Sequence, residues 1–188
     1  MKTIKNLKFV SGLVPICKER GTVRSVVLVS LGVAALVTAL VRTALATPSS
    51  NIVSATVVAR ASFVDPVDVK FKVGEPGHQV VIHARELQDT VIQEIIIRPG
   101  GSTGWHSHPG PVVVLIKAGE LTVYASEDPT CTPRTYSAGE AFVDSGQGHV
   151  HIARNLGGQN VELWATYFDV PPRGSPRLDA ANPGNCGF

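Results

Sequence analysis

Charged residues are scarce in this chain, 17% of 188 positions, and aromatic residues are scarcer, at 6%. Lys and Arg never gather into the patch or stripe that a nucleic-acid surface needs, so nucleic acid is excluded as a partner. There is no G-x-S-x-G turn to expose a nucleophilic serine and no glycine loop of the kind that cradles phosphates. After residue 46, no segment keeps a 3.6-residue apolar period over ten or more positions, so helices are not expected there. No fixed-period repeat and no low-complexity tract is present. Cysteine is limited to Cys17, Cys131 and Cys186.

What is present divides unevenly. The first 46 residues carry seven basic side chains and one acidic one, and the remainder carries ten basic and fourteen acidic, a net of −4. Basic residues 2–24 precede the uncharged run SVVLVSLGVAALVTALV, residues 25–41, and then Ala44-Leu45-Ala46. A basic stretch, an apolar core and an A-x-A site read as a secretory signal, residues 1–46. The 17 apolar residues also reach the lower limit of a spanning helix, about 17–25 residues, so an uncleaved membrane anchor is the other reading. The first places the remaining 142 residues as a secreted domain; the second holds them outside the cytoplasm on a membrane tether. No paired arginine marks a twin-arginine signal. Cys17 precedes the apolar run and cannot serve as a lipoprotein cysteine. In an oxidising compartment the other two cysteines are expected to form a disulfide. It would join EDPTCTP to the tail NPGNCGF.

Short β-branched segments then recur between Gly- and Pro-rich turns. They are residues 52–63, 67–73, 79–86, 90–98, 112–118, 121–125, 140–144, 149–155 and 161–168. Many short strands at regular spacing predict an all-β sandwich or barrel. Residues 47–87 lead into it, residues 88–170 form its core, and residues 171–188 are an irregular tail over the surface.

Four of the six histidines form two H-x-H pairs, His106 with His108 and His149 with His151. Residues two apart on a strand share a face, so each pair can aim two imidazoles at one point. Neutral imidazole is the commonest protein metal ligand. Two such pairs, each beside a Gly-rich turn, are a candidate metal site. Glu94 is a candidate base if its face of the strand looks inward. Glu120 and Glu140 follow glycines at turns and are expected in solvent. Trp105 is expected to pack on the face opposite His106, and Tyr124, Tyr167 and Trp164 in the core or at its rim.

These residues resemble the cupin family. Its first motif is G-x5-H-x-H-x3-4-E-x6-G; here Gly100, His106, His108 and Gly119 match, while Val112 stands at the Glu position. Counting from either end reaches the same residue. The second motif, G-x5-P-x-G-x2-H-x3-N, is matched by Gly148, His151 and Asn155, with Gly146 in place of Pro and Gly139 one position early. The resemblance implies a single double-stranded β-helix (jelly-roll) barrel, here preceded by the N-terminal hydrophobic signal or anchor helix read from residues 25–41, and often a homodimer. It also implies one metal held by His106, His108 and His151, without the acid. His149 is the candidate fourth ligand, and its alternative is a hydrogen bond at the barrel mouth. A neutral all-histidine set favours Fe, Zn, Cu or Ni over Mn. Three-histidine cupin sites resemble those of some thiol and diketone dioxygenases, which makes a dioxygenase-like oxidoreductase on a small molecule one expectation. A non-catalytic cupin that binds a small ligand or metal is the other.

Overall fold

The computed structural model describes residues 45–188 except 75, 76 and 78. The apolar run 25–41 and nearly all of the expected signal or anchor lie outside the described residues, as does His78. Among the described residues no helix is long and apolar enough to cross a membrane.

Twelve strands are described: β1 (Ser50–Ser62), β2 (Val69–Val73), β3 (Val80–Ala84), β4 (Asp89–Ser102), β5 (His106–Ser107), β6 (Val112–Ala118), β7 (Glu120–Ala125), β8 (Arg134–Ser137), β9 (Ala141–Asp144), β10 (His151–Arg154), β11 (Val161–Val170) and β12 (Leu178–Asp179). There is no helix among the described residues, as the missing 3.6 period implied. One face of the barrel runs β1-β4-β11-β6-β9. The other runs β12-β5-β10-β7-β8. All these pairings are antiparallel. The strand β4 joins the two faces. Its residues from Asp89 to Ile97 pair with β11, and Ser102, beyond the bend at Pro99-Gly100-Gly101, pairs with Arg154 of β10. A strand that turns a corner and changes sheets closes such a barrel without a free edge at that side. The hairpin β2-β3 forms a separate small sheet.

Inward positions alternate with outward ones along each strand. In β11, Val161, Leu163, Ala165 and Tyr167 are buried, and they meet Val91, Ile97, Val112, Val114 and Ile116 from β4 and β6 in one core. Asn155, fully buried, fixes the loop after β10: its amide donates to the carbonyls of Ile97 and Gln159, and its Oδ1 accepts from the Gly157 N–H. A smaller cluster of Trp105, Tyr124, Ile152 and Cys186 lies under the second sheet. Trp105 packs there as expected, whereas Trp164 stands on the outer face, 40% exposed.

Three strands, β5, β8 and β12, were not legible as patterns. The tail expected to be irregular contributes the third. Two exposed residues, Leu178 and Asp179, become a strand only because they pair with Ser107 and His106 at the sheet edge. The tail is also pinned covalently, by a disulfide between Cys131 and Cys186, 55 residues apart. Closing a loop of that length stabilises the fold by about 4 kcal/mol in the chain-entropy model. The amide of Asn185 adds hydrogen bonds to the carbonyls of Ala125 and Asp128.

Candidate metal centre

The site begins with the loop between β4 and β5. Gly104 has a φ of +69°, and a Cβ there would lie 2.3 Å from the Thr47 carbonyl, so only glycine fits. That turn brings the Gly104 carbonyl to 2.8 Å from His106 Nδ1. The ring therefore donates Nδ1–H to the backbone, and Nε2 keeps its lone pair. His108 is fixed the same way: its Nδ1 lies 2.7 Å from the Pro176 carbonyl, in the tail. A ligand histidine whose second nitrogen donates to a carbonyl is locked in tautomer and in ring direction. His151 is brought in by β10, where it pairs directly with His106.

His106, His108 and His151 are all buried, and one ligand nitrogen of each lies within 4.8 Å of the others. Their ring centroids are 4.4 to 5.2 Å apart. Two nitrogens across an ion with bonds of about 2.1 Å are at most about 4 Å apart. Small ring rotations close that gap, so the donor set fits a transition ion. All three imidazoles are held neutral, as metal ligands must be. Burial, helped by the neighbouring histidines and Arg177, pushes His106 down to about 2. Burial likewise lowers His108 and takes His151 to about 4, against the raising effect of Asp144.

His149 goes elsewhere. It precedes β10, in a turn closed by its N–H on the Gly146 carbonyl at 2.9 Å. Its Nδ1 lies 2.8 Å from Asp144 Oδ2 and its Nε2 2.7 Å from Glu127 Oε1, so both ring nitrogens face carboxylates. The hydrogen bond to Asp144 leads in raising its pKa to about 9. Burial alone would raise the Asp144 carboxyl, but His149 and the charges of the neighbouring histidines bring it down to about 2. Asp144 Oδ2 is also 3.2 Å from His151 Nδ1, although that nitrogen is buried and makes no aligned hydrogen bond. Asp144, His149 and His151 thus form a second convergent group that shares His151 with the first.

Asp144 answers the missing acid. Val112, 1% exposed, is its cross-strand partner in β6–β9, and directly opposed residues project to the same face. The carboxylate absent from one strand stands on its neighbour. The sequence pattern did not single it out; the signal was an acid ending an apolar strand five residues before His149. The same turn explains why Gly146 replaces Pro. Its φ is +58°, which proline cannot adopt, and a Cβ would sit 1.8 Å from the Gly110 carbonyl.

A cavity of about 230 Å³ opens beside His106 and His108. Ser49, Gln93, Thr103, Tyr167, Ser175 and Arg177 supply the other polar side chains among the described lining residues. The Tyr167 hydroxyl donates to Gln93 Oε1 at 3.1 Å, and burial pushes its pKa up. Glu94 does not line this cavity; it lies on the outer face, 4.0 Å from Lys117. Glu120 and Glu140 are exposed.

No family model matches the chain, and no curated protein matches it. Solved structures are similar to it in fold. A cupin domain from Bordetella pertussis Tohama I is 19% identical over 56% of this chain and 97% of its own, with a TM-score of 0.37. The polyketide cyclase RemF from Streptomyces resistomycificus is 20% identical over 50% of this chain and 64% of its own, with a TM-score of 0.40. A recombinant oxalate oxidase in complex with glycolate is 24% identical over 43% of this chain and 41% of its own, with a TM-score of 0.36. This chain covers less than two thirds of the cyclase and of the oxidase. The described residues form an all-β, barrel-like sheet in which His106 pairs with His151 across β5 and β10. Its buried histidines can hold a metal.

Proposed function

We propose that the barrel binds one divalent transition metal through His106, His108 and His151, and that the loaded site acts on a small molecule in the adjoining cavity, as a dioxygenase-like oxidoreductase. One observation carries the metal reading: His106 and His108 each give Nδ1 to a backbone carbonyl, which leaves Nε2 free beside buried His151. Nitrogen ligands without a carboxylate favour Fe, Zn, Cu or Ni over Mn. His149, engaged by Asp144 and Glu127, is read as supporting His151 through Asp144 rather than as a fourth ligand. When bound, the ion supplies Lewis acidity and, if redox-active, electron transfer. The chain's own part is to hold three imidazoles neutral and to present a small cavity.

A second reading is a non-catalytic cupin that captures a small ligand. It is favoured by the lining of the cavity, which among the described residues holds no carboxylate to serve as a general base. The disulfide supports a place outside the cytoplasm, secreted or tethered.

Elemental analysis of the untagged full chain tests the metal reading. About one equivalent of Fe, Zn, Cu or Ni is expected, and less than a tenth of that in His106→Ala plus His108→Ala. A wild type without stoichiometric metal overturns the reading, and chiefly Mn overturns the metal preference. Oxygen consumption over a panel of thiols and diketones then separates the oxidoreductase from the binding protein.

A further inference from the structure

Among the described residues lining the cavity beside the histidines, one side chain is charged, that of Arg177, supplied by the tail. We infer that Arg177 is the anion-reading residue of this cavity and that the ligand class is a small carboxylate. The metal reading places the ligand's other end, and the inference rests on that reading for the orientation alone.

The geometry of Arg177 is that of a held but unspent guanidinium. Its Nε donates to Asp179 Oδ1 at 2.6 Å, and its two terminal nitrogens make no hydrogen bond among the described residues. Asp179 is itself fixed in β12, paired with His106. The fork therefore stands next to the first histidine pair, and its position is set by the strand that flanks it. A planar fork with both outer nitrogens free matches a carboxylate in two parallel hydrogen bonds.

The electrostatic balance points the same way. Among the described residues lining the cavity no acid accompanies Arg177, whose partner Asp179 lies outside the lining, and a divalent ion would add positive charge to the wall. Asp144 lies behind His151 and is not among the lining residues. A cavity of about 230 Å³ lies below the usual range for drug-sized ligands, roughly 300–1,000 Å³, so the molecule must be small. Ile52 and Ile95 provide an apolar wall for a short carbon stem, and Thr103 and the Tyr167 hydroxyl supply polar contacts.

The test uses lactate as the anionic probe and lactamide as its neutral counterpart, titrated into the full chain with and without Zn and followed by ligand-observed NMR. Lactate should bind, and Arg177→Gln should weaken it by about tenfold or more. Lactamide binding should change by less than threefold. Arg177→Lys, which keeps charge but loses the fork, should fall between. Asp179→Asn controls for a merely structural role, since it removes the partner and keeps the cation: lactate affinity should stay within threefold of wild type. Equal lactate affinity in wild type and Arg177→Gln overturns the inference, and so does an equal loss in Asp179→Asn. Zinc content, measured on the same samples, reports the metal reading separately. If the wild type holds no zinc yet lactate binding still depends on Arg177, the metal reading falls and the anion reading stands.

Discussion

The two H-x-H pairs have the same pattern and opposite fates. His106 and His108 are both buried, each with Nδ1 on a backbone carbonyl and neither touching an acid. His149 and His151 are split. His151 is buried and neutral, while His149 sits at the rim between two carboxylates and carries a proton up to about pH 9. Pattern alone specifies which residues can share a face. Burial keeps His106, His108 and His151 neutral, and the carbonyls fix which nitrogen of the first pair carries the proton. His149 is less buried, and its two carboxylates favour the imidazolium.

The strongest way to break the contrast is to delete each pair's members separately. His106→Ala plus His108→Ala should abolish metal binding, whereas His149→Gln should leave stoichiometry near wild type in elemental analysis. Loss of metal in His149→Gln would make the pairs equivalent. The next effect comes through the tail that orients His108. Replacing Cys131 and Cys186 by Ser should cost about 4 kcal/mol in denaturant unfolding. It should also weaken metal binding by about tenfold or more through the loosened Pro176 carbonyl.

Val112→Glu sharpens the comparison by adding the acid to the strand opposite Asp144. Two buried carboxylates on paired positions repel, so the metal-free protein should lose roughly 3 kcal/mol. Added Mn should recover part of the loss in a thermal-shift assay, because carboxylate oxygen suits it.

The smallest effect is on pH dependence, and its two limbs belong to different histidines. His106 at about 2 and His151 at about 4 lie below the ordinary 6.5. As pH falls below 6.5 the unfolded chain protonates first, so the metal-free protein loses stability toward pH 4, by about 1.4 kcal/mol per unit for each such histidine. His149 is raised to about 9, so its contribution is complete below 6.5 and is lost as pH rises through 9. The melting temperature of the metal-free protein should peak near pH 6.5. His149→Gln should flatten the alkaline limb and spare the acid one.

The barrel was legible because it rests on short-range regularities. Alternation in residues 161–168 and the β-branched run 112–118 needed no partner to be read as strands, and the two histidine pairs marked the strands that meet. The missing acid was legible as an absence at Val112. Its replacement was not, because Asp144 becomes its neighbour only through the β6–β9 register, 32 positions away in sequence. Equal spacing put His149 on a common face with His151, as a candidate fourth ligand or a hydrogen-bonding residue at the barrel mouth. The turn at Gly146 breaks that equivalence, since alternation holds only within a strand. The tail misled for the same reason. Pro176, Arg177 and Asp179 have no periodic signal, and their roles come from lying against β5 and the cavity.

The Pro176 carbonyl also ties the metal centre to a segment 68 positions away in sequence. His108 has its ring set only while that segment is docked, and the bond between Cys131 and Cys186 holds a neighbouring part of the tail against the barrel. Loosening of the tail and loss of an oriented donor set are therefore one event.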